Sequence, residues 1–432
     1  MQAEGIPLTP ERYAAKYYKA VPESENAYKI FGKAFSKLKE ASFPSLLVFE
    51  GRAQSPWLDQ KLSSDLMKYA REYLQKNNEA FSEIEKVMEY SYLRFPYNWS
   101  KGFGRKMIPA NNIRKIIYLY AIQIEIAIYD GNHTKAKQYL KNMFHITSLI
   151  KQEPTLLAQV VSQFCTSVTI NCLERCMNTC SLSSEELKFF IKKCSDDEKY
   201  FCSHWALGWQ DEMVMVADLA SPARIRAVGL FDYKENDINK KLLSAQYDFI
   251  SGNMYRTITK VLNKAREVMK TPIFPYSKNI KKLSSIATEY SNFNVIGISI
   301  SVLDKCDKVY IKLIKTIAQL RCARTACAIK LYKQKYGYMP DKLNCLVPEF
   351  FKNVPLDPFT GKVLNYAYGQ CKVSFREPVV NPHNLKLIYK DTISDKDVFY
   401  IFSSDTSNKF FPNKPLSKMN PRDGIVYTAI DN

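Results

Sequence analysis

The chain has 432 residues, 46% of them hydrophobic, which is enough for two or three domains and a sizeable core. Lys and Arg number 62 against 43 Asp and Glu, a formal charge of +19, which favours anionic partners such as nucleic acid, a membrane surface or an acidic wall polymer. The basic residues are spread along the whole length, so a solvated Lys-rich surface is the preferred reading, and only 14 glycines with neither GxGxxG nor GxxxxGK[ST] exclude a Gly-rich phosphate cradle.

The first forty residues predict two helices. Thr9-Pro10 opens one, with Thr9 as N-cap and Pro10 in the first turn. Ser24 is the expected N-cap of the next, before Ala27, Ile30, Phe31 and Ala34. Residues 60–91 are again helical, interrupted at Lys76-Asn77-Asn78. A loop rich in aromatic and basic residues runs from Phe95 to Met107 and includes Trp99 and Arg105. From Asn112 to Tyr129 the residues Ile117, Ala121, Ile124 and Ile128 recur at helical spacing. Asp130-Gly131-Asn132 breaks that helix, and Ala136, Leu140, Phe144 and Ile150 mark its antiparallel partner. Glu153-Pro154 is expected to start a third helix continuing to Cys180. Ser183 and Glu186 form a capping box for a fourth, with a further helix over 199–219. Residues 271–293 read as a loop or broken helix, since Pro272 and Pro275 interrupt the pattern. A long helix follows from Phe293 to Tyr336.

Cys165, Cys172, Cys176 and Cys180 fall on one helical face. Zinc sites use CxxC pairs with further ligands, so small apolar residues in a helix seam are the preferred reading. An odd total of 11 cysteines is no disulfide framework. No stretch is read as long enough to span a bilayer, Asn294–Leu303 being the longest apolar run noted. The first residues lack a secretory pattern, so the expectation is either a cytoplasmic protein or one whose signal or anchor is absent from this chain.

The stretch from Tyr332 to Tyr366 is densely punctuated. Gly337 can end the long helix and Pro340 keeps it from resuming. Asp341–Val347 predicts a short helical turn, and Asp357-Pro358 the first two positions of a type I turn, with Gly361 supplying a positive φ. Strand patterns follow at 363–368, 371–376, 385–390, 396–403 and 424–429. The fold expected is mainly α. It comprises an irregular all-helical domain of helical hairpins (1–292), a long connecting helix (293–336) and a small α+β module with antiparallel strands (337–432).

Tyr336, Gly337, Pro340, Leu343, Val347, Pro348, Pro355, Asp357, Pro358, Phe359 and Gly361 form a pattern that resembles the globular part of type II secretion major pseudopilins. It resembles more closely a group of large uncharacterised envelope proteins of planctomycetes and their relatives that end in this module. The Val21–Ala27 segment and the Asp130-Gly131 hairpin followed by Glu153-Pro154-Thr155-Leu156 match the same group. The resemblance implies a structural role for the motif residues and an extracytoplasmic, membrane-anchored protein whose anchor is missing here. Pseudopilin-like modules often hold calcium in a Gly- and Asp-rich loop. Here Asp405 remains without the second acidic pair, and calcium needs about six to eight oxygens, so Asp405 is a weak calcium candidate. No other cofactor or metal is expected.

Catalytic signatures are absent from the sequence. His133, His145, His204 and His383 lie in no HExxH, and no GxSxG elbow occurs. Asp211-Glu212 after Trp209 is the most enzyme-like cluster, although neighbours on a helix diverge by about 100° and a solvated face is preferred. The leading expectation is a non-catalytic envelope protein whose helical domain binds a protein partner. The alternative is a hydrolase of an anionic envelope polymer, using the loop with Trp99 and Arg105 together with Trp209, Asp211 and Glu212. A nucleic-acid binder is a third reading, whose mark would be affinity falling steeply with salt.

Overall fold

The computed structural model describes residues 9–47, 59–219, 276–290, 306–380, 387–403 and 425–430, with a few helical positions between 260 and 268. Among these the chain is mainly α, with an antiparallel sheet near the C-terminus. The helices are α1 (Pro10–Tyr17), α2 (Tyr28–Lys37), α3 (Ser64–Lys76), α4 (Asn78–Glu85), α5 (Ala110–Tyr129), α6 (His133–Lys151), α7 (Leu156–Thr179), α8 (Ser184–Leu219), α9 (Ser277–Tyr290) and α10 (Cys306–Tyr336). Strands β1 (Asn365–Val380), β2 (Leu387–Ser403) and β3 (Ile425–Ile430) pair in the order β1-β2-β3.

Local chemistry sets the helix boundaries. Thr9, Ser63, Asn132 and Thr155 each accept a backbone N–H of the first turn through the side chain. Ser183 Oγ accepts from the Glu186 amide while Glu186 Oε2 accepts from the Ser183 amide, the reciprocal capping box expected at α8. Gly131 turns the chain between α5 and α6 at φ +71°, and Gly337 closes α10 at φ +83°. Asn77 is buried where α3 meets α4, and its amide group bonds both Lys39 N–H and Lys39 C=O, tying that junction to the end of α2.

Several expectations are corrected. Ser24 sits in a short 3-10 turn, and α2 starts four residues later, at Tyr28. Asn26 explains the difference. Its carboxamide bonds both N–H and C=O of Arg94, and the Ala27 amide bonds Tyr92 C=O, so the segment before α2 is used to hold residues 92–94. Pro154 lies before α7, whose N-cap is Thr155. The two helices expected over 183–219 are one 36-residue helix, and within the loop or broken helix expected over 271–293 the described residues form α9. The four short strand patterns from 363 to 403 are two long strands of one antiparallel ladder, Asn365 opposite Phe402 and Val380 opposite Leu387. The long helix expected from 293 is described from Cys306 onward, residues 293–305 lying outside the described set.

Helix α7 lies at the centre, packed on α5, α6, α8 and α10. By length and composition it could cross a membrane, with a mean hydropathy of 1.4 over its most apolar window, which the sequence reading missed. Gln159, Gln163, Thr166, Arg175 and Asn178 interrupt its apolar run, and 67% of that window is buried inside the protein. Buried ion pairs join the surrounding helices to it and to one another. Arg175 Nε and Nη2 meet the two oxygens of Glu125 at 3.0 and 3.1 Å, Lys151 pairs with Asp197, and Arg321 and Arg324 share Glu198.

One apolar core runs from Ala27 to Ile401. Helix α10 is buried along most of its described length and contributes to this core. The segment after it folds back on the same core. Leu343 and Leu346, in a 3-10 turn, are buried with Pro355, Pro358 and Phe359. Arg321 donates to Leu356 C=O, and the Tyr276 amide donates to Pro358 C=O at 2.9 Å. The turn expected at Asp357-Pro358 is wider than type I: the Gly361 amide bonds Asp357 C=O, and the Asp357 amide bonds Lys362 C=O. Buried Asp357 Oδ1 accepts from the Phe359 amide and from Ser403 Oγ, both at 2.8 Å, fastening the turn to the end of β2. Bonds to a buried carboxylate contribute about 1.5–3 kcal/mol each. Asp357→Ala should therefore cost about 3 kcal/mol in urea denaturation and speed amide exchange at 398–403. A loss below about 1 kcal/mol would refute this role.

Candidate functional site

The loop of residues 95–105 is fixed at both ends. At its start the Phe95 amide donates to Glu153 Oε1 at 2.9 Å, and the Tyr18 hydroxyl donates to Phe95 C=O. Glu153 is held there because it lies in the tight link between α6 and α7, where its own amide bonds Ile150 C=O. At the far end Arg105 Nη2 donates to both carboxylate oxygens of Asp211 on α8, at 2.8 and 2.6 Å, and Nη1 lies 3.3 Å from Met215 Sδ. Both charged side chains are 1% exposed. Between these ends a 3-10 segment, Trp99–Gly104, turns at Gly102, whose φ of +53° favours glycine.

An aromatic lid covers the pair. The Arg105 guanidinium lies 4.3 Å from the Trp99 ring centroid and 5.7 Å from that of Tyr97. Trp99 is in ring contact with Tyr13, Tyr18 and Tyr97 at 5.2–5.7 Å. Helix α1 supplies Tyr13 and Tyr18 follows it. The Tyr13 hydroxyl is shared between Pro154 C=O at 2.7 Å and Leu207 C=O at 3.0 Å. The N-terminal helix thus straps the loop onto the start of α7 and the middle of α8.

Burial dominates the electrostatics. It pushes the Glu153 carboxyl up from 4.5 to about 7, against the Phe95 amide, Arg94 and the phenols of Tyr97 and Tyr18. Glu153 Oε2 and Tyr97 Oη are both buried without a hydrogen-bond partner. Burial also raises the Asp211 carboxyl, countered by Arg105 and by the Leu156 amide at the first residue of α7. Glu212 is pushed up to about 7 by burial and then by Asp211. The phenols of Tyr13, Tyr18 and Tyr97 are raised by burial as well.

Of the sequence candidates, the fold brings Trp99, Arg105 and Asp211 into direct contact, with part-buried Glu212 beside them. Trp209 belongs to the main core, away from the aromatic lid. Tyr13, Tyr18, Tyr97, Glu153 and Met215 complete the cluster and were not singled out as site residues. The tyrosines around α1 were the available signal, since three of them in six residues exceed what one short helix buries by itself. His145 bonds Val87 C=O, His204 stacks on Tyr200 at 4.0 Å, and His133 begins α6. His383 and Asp405 lie outside the described residues. Among the described residues no group of three His, Cys, Asp or Glu is placed to hold a metal ion.

Close helix approach is part of the construction. A Cβ on Gly208 of α8 would lie 2.9 Å from Gln159 Cγ and 3.2 Å from Leu156 Cα. Gly208→Ala should therefore cost about 1–3 kcal/mol by pushing α7 off α8. A neutral thermal shift would contradict that close packing.

Chemically the cluster is a closed joint. Both Asp211 oxygens are engaged by Arg105, and Glu153 has one oxygen on a backbone amide. Comparison with protein-family models, curated proteins and solved structures finds no match for this chain.

Proposed function

We propose that this chain is a non-catalytic interaction protein of the cell envelope, and that its partner-binding surface lies on the segment following α10. The observation that carries the proposal is where apolar side chains reach solvent. Among the described residues Tyr336, Tyr338, Leu356, Val363 and Tyr368 are exposed, against Phe43, Tyr92 and Met107 elsewhere. Tyr336 and Tyr338 are in ring contact with each other and with Tyr332. The Tyr368 hydroxyl reaches Asp341 Oδ1 at 3.4 Å, which brings β1 to the same edge. Exposed tyrosines suit recognition, because each offers a large apolar ring with a polar tip at low entropic cost. The hydrolase reading loses support because Arg105 and Asp211 are spent on each other beneath the aromatic lid.

The envelope assignment and the pseudopilin-like character of the module rest on the motif resemblance at 336–361. A photo-crosslinking residue at Tyr338 in the native gene product, followed by fractionation, tests the surface and the location together. The expected result is an adduct in an envelope fraction, reachable by external protease and lost in Tyr336→Ala/Tyr368→Ala. A cytoplasmic product without an adduct would overturn the proposal.

A further inference from the structure

We propose that the cleft between α8, α9 and α10 binds a small uncharged carbonyl compound with an aromatic or alicyclic body. Its walls come from three places in the chain. Helix α8 supplies Phe201, Cys202 and Trp205, α10 supplies Tyr310 and Leu313, and Tyr276 enters from the residue before α9. Together they enclose about 270 Å³ of empty space, part of it open to solvent. Small-molecule pockets begin at about 300 Å³, so the space suits a single ring with a short substituent.

The depth of the cleft is apolar. Phe201, Trp205, Tyr310 and Leu313 are buried, whereas Cys202 is exposed and Tyr276 half-buried, so these last two mark the mouth. The walls are held by bonds outside the empty space. Asn279 of α9 donates to the Tyr310 hydroxyl at 3.0 Å, and the Tyr276 amide donates to Pro358 C=O at 2.9 Å.

One polar group in the walls is unmet. Trp205 is 2% exposed, and its indole Nε1 has no hydrogen-bond partner. Folded proteins rarely leave a buried donor in that state, because its lost hydration is not repaid. The indoles of Trp99 and Trp209 are also unmet, but of the three only Trp205 lines this cleft. Its polar neighbours are committed elsewhere. Cys202 Sγ and Tyr276 Oη lie 3.5 Å apart and engage each other, and Tyr310 Oη takes its bond from Asn279. The acceptor for the indole N–H must therefore come with the occupant.

The charges nearby argue that this acceptor is neutral. Glu198, Arg321 and Arg324 act on Cys202 from one side, but Glu198 already holds both guanidinium groups, at 2.7 and 3.0 Å. A carboxylate in the apolar depth would lose its hydration without gaining a counter-charge of its own. A carbonyl oxygen meets the indole N–H without that cost, and its ring covers the aromatic walls.

The test uses the full chain and three probes of similar size: acetophenone, toluene and benzoate. Binding is read as slowed alkylation of Cys202 by iodoacetamide, followed by peptide mapping, with half-buried Cys345 outside the cleft as internal control. Acetophenone is expected to slow alkylation of Cys202 several-fold at saturation and to leave Cys345 unchanged. It should bind about tenfold tighter than toluene, the worth of one hydrogen bond. Benzoate should give no protection. Trp205→Phe should bring acetophenone down to the toluene level. Cys202→Trp, which fills the mouth from an exposed position, should abolish saturation transfer to acetophenone in ligand-observed NMR while keeping the melting temperature. No protection by acetophenone, equal binding of toluene, or tighter binding of benzoate would each overturn the proposal. All three comparisons are made on the wild-type chain and hold even if a variant folds poorly.

Discussion

Arg105→Leu is expected to cost about 3–5 kcal/mol of stability, and Arg105→Leu/Asp211→Leu to recover most of it. The Arg105–Asp211 pair is 1% exposed on both sides. Removing one partner leaves a buried charge with nothing to balance it, which is the expensive case, whereas replacing both by apolar groups is often close to neutral. Recovery should be incomplete for two reasons. The Leu156 amide at the start of α7 loses its acceptor, worth about 1 kcal/mol. The guanidinium also leaves the Trp99 face, a cation–π contact worth about 0.5–2 kcal/mol. Urea unfolding of the two single variants and the double gives the coupling energy directly. Single variants costing under 1 kcal/mol would mean that the pair is solvated and that the lid does not seal. The same series separates the functional readings. If Asp211 served a hydrolytic reaction, the double variant would abolish it; a joint that only positions the loop should leave cross-linking through Tyr338 intact.

Much of the helical architecture was legible, because capping chemistry and turn glycines are local. The Asn77 break, the α5–α6 hairpin and the Ser183–Glu186 box each depend on residues within a few positions. Errors arose where a distant partner decided. Ser24 is a sound N-cap in isolation, but Asn26 two residues on is committed to Arg94, 68 residues away, and delays α2. The patterns read over 363–376 and 385–403 break at 369–370 and at 391–395, whereas the paired ladder carries β1 and β2 through both breaks. The extent of helix α7 to Cys180 was legible; its apolar, membrane-length character was hidden behind glutamines and Arg175, which the sequence cannot show to be partnered inside the protein. At the candidate site, Arg105 and Asp211 could be suspected singly, but their contact spans 106 positions. Nothing local marks Glu153 as the acceptor for Phe95. The Pro-Leu-Asp-Pro-Phe-Thr-Gly stretch was legible as a turn, and only the fold shows why it is acidic: Asp357 also holds Ser403 of β2.

Glu153→Gln should leave stability unchanged near pH 4.5 and raise it by about 3 kcal/mol above pH 8. The carboxyl's pKa in the folded protein is about 7, above its ordinary 4.5, because burial outweighs the Phe95 amide and Arg94. Between these values the folded protein keeps a proton that the unfolded chain releases. The stabilisation is therefore complete below about pH 4.5 and is lost as pH rises through 7. A rise from 4.5 to about 7 corresponds to about 3 kcal/mol. Glutamine keeps the acceptor for the Phe95 amide and removes the ionisation, so the variant lacks this loss. Glu212 is raised for the same first cause and adds the same slope, but it is present in both proteins and cancels in the difference. Urea midpoints for wild type and variant at pH 5, 6, 7 and 8 measure that difference. A pH-independent gap would show that Glu153 does not titrate in this range. A gap of opposite sign, with glutamine the weaker residue at high pH, would mean that Arg94 and the phenols of Tyr18 and Tyr97 hold a carboxylate. The aromatic box would then be an anion cradle with its charge in place, and the strap formed by α1 would tighten as pH rises.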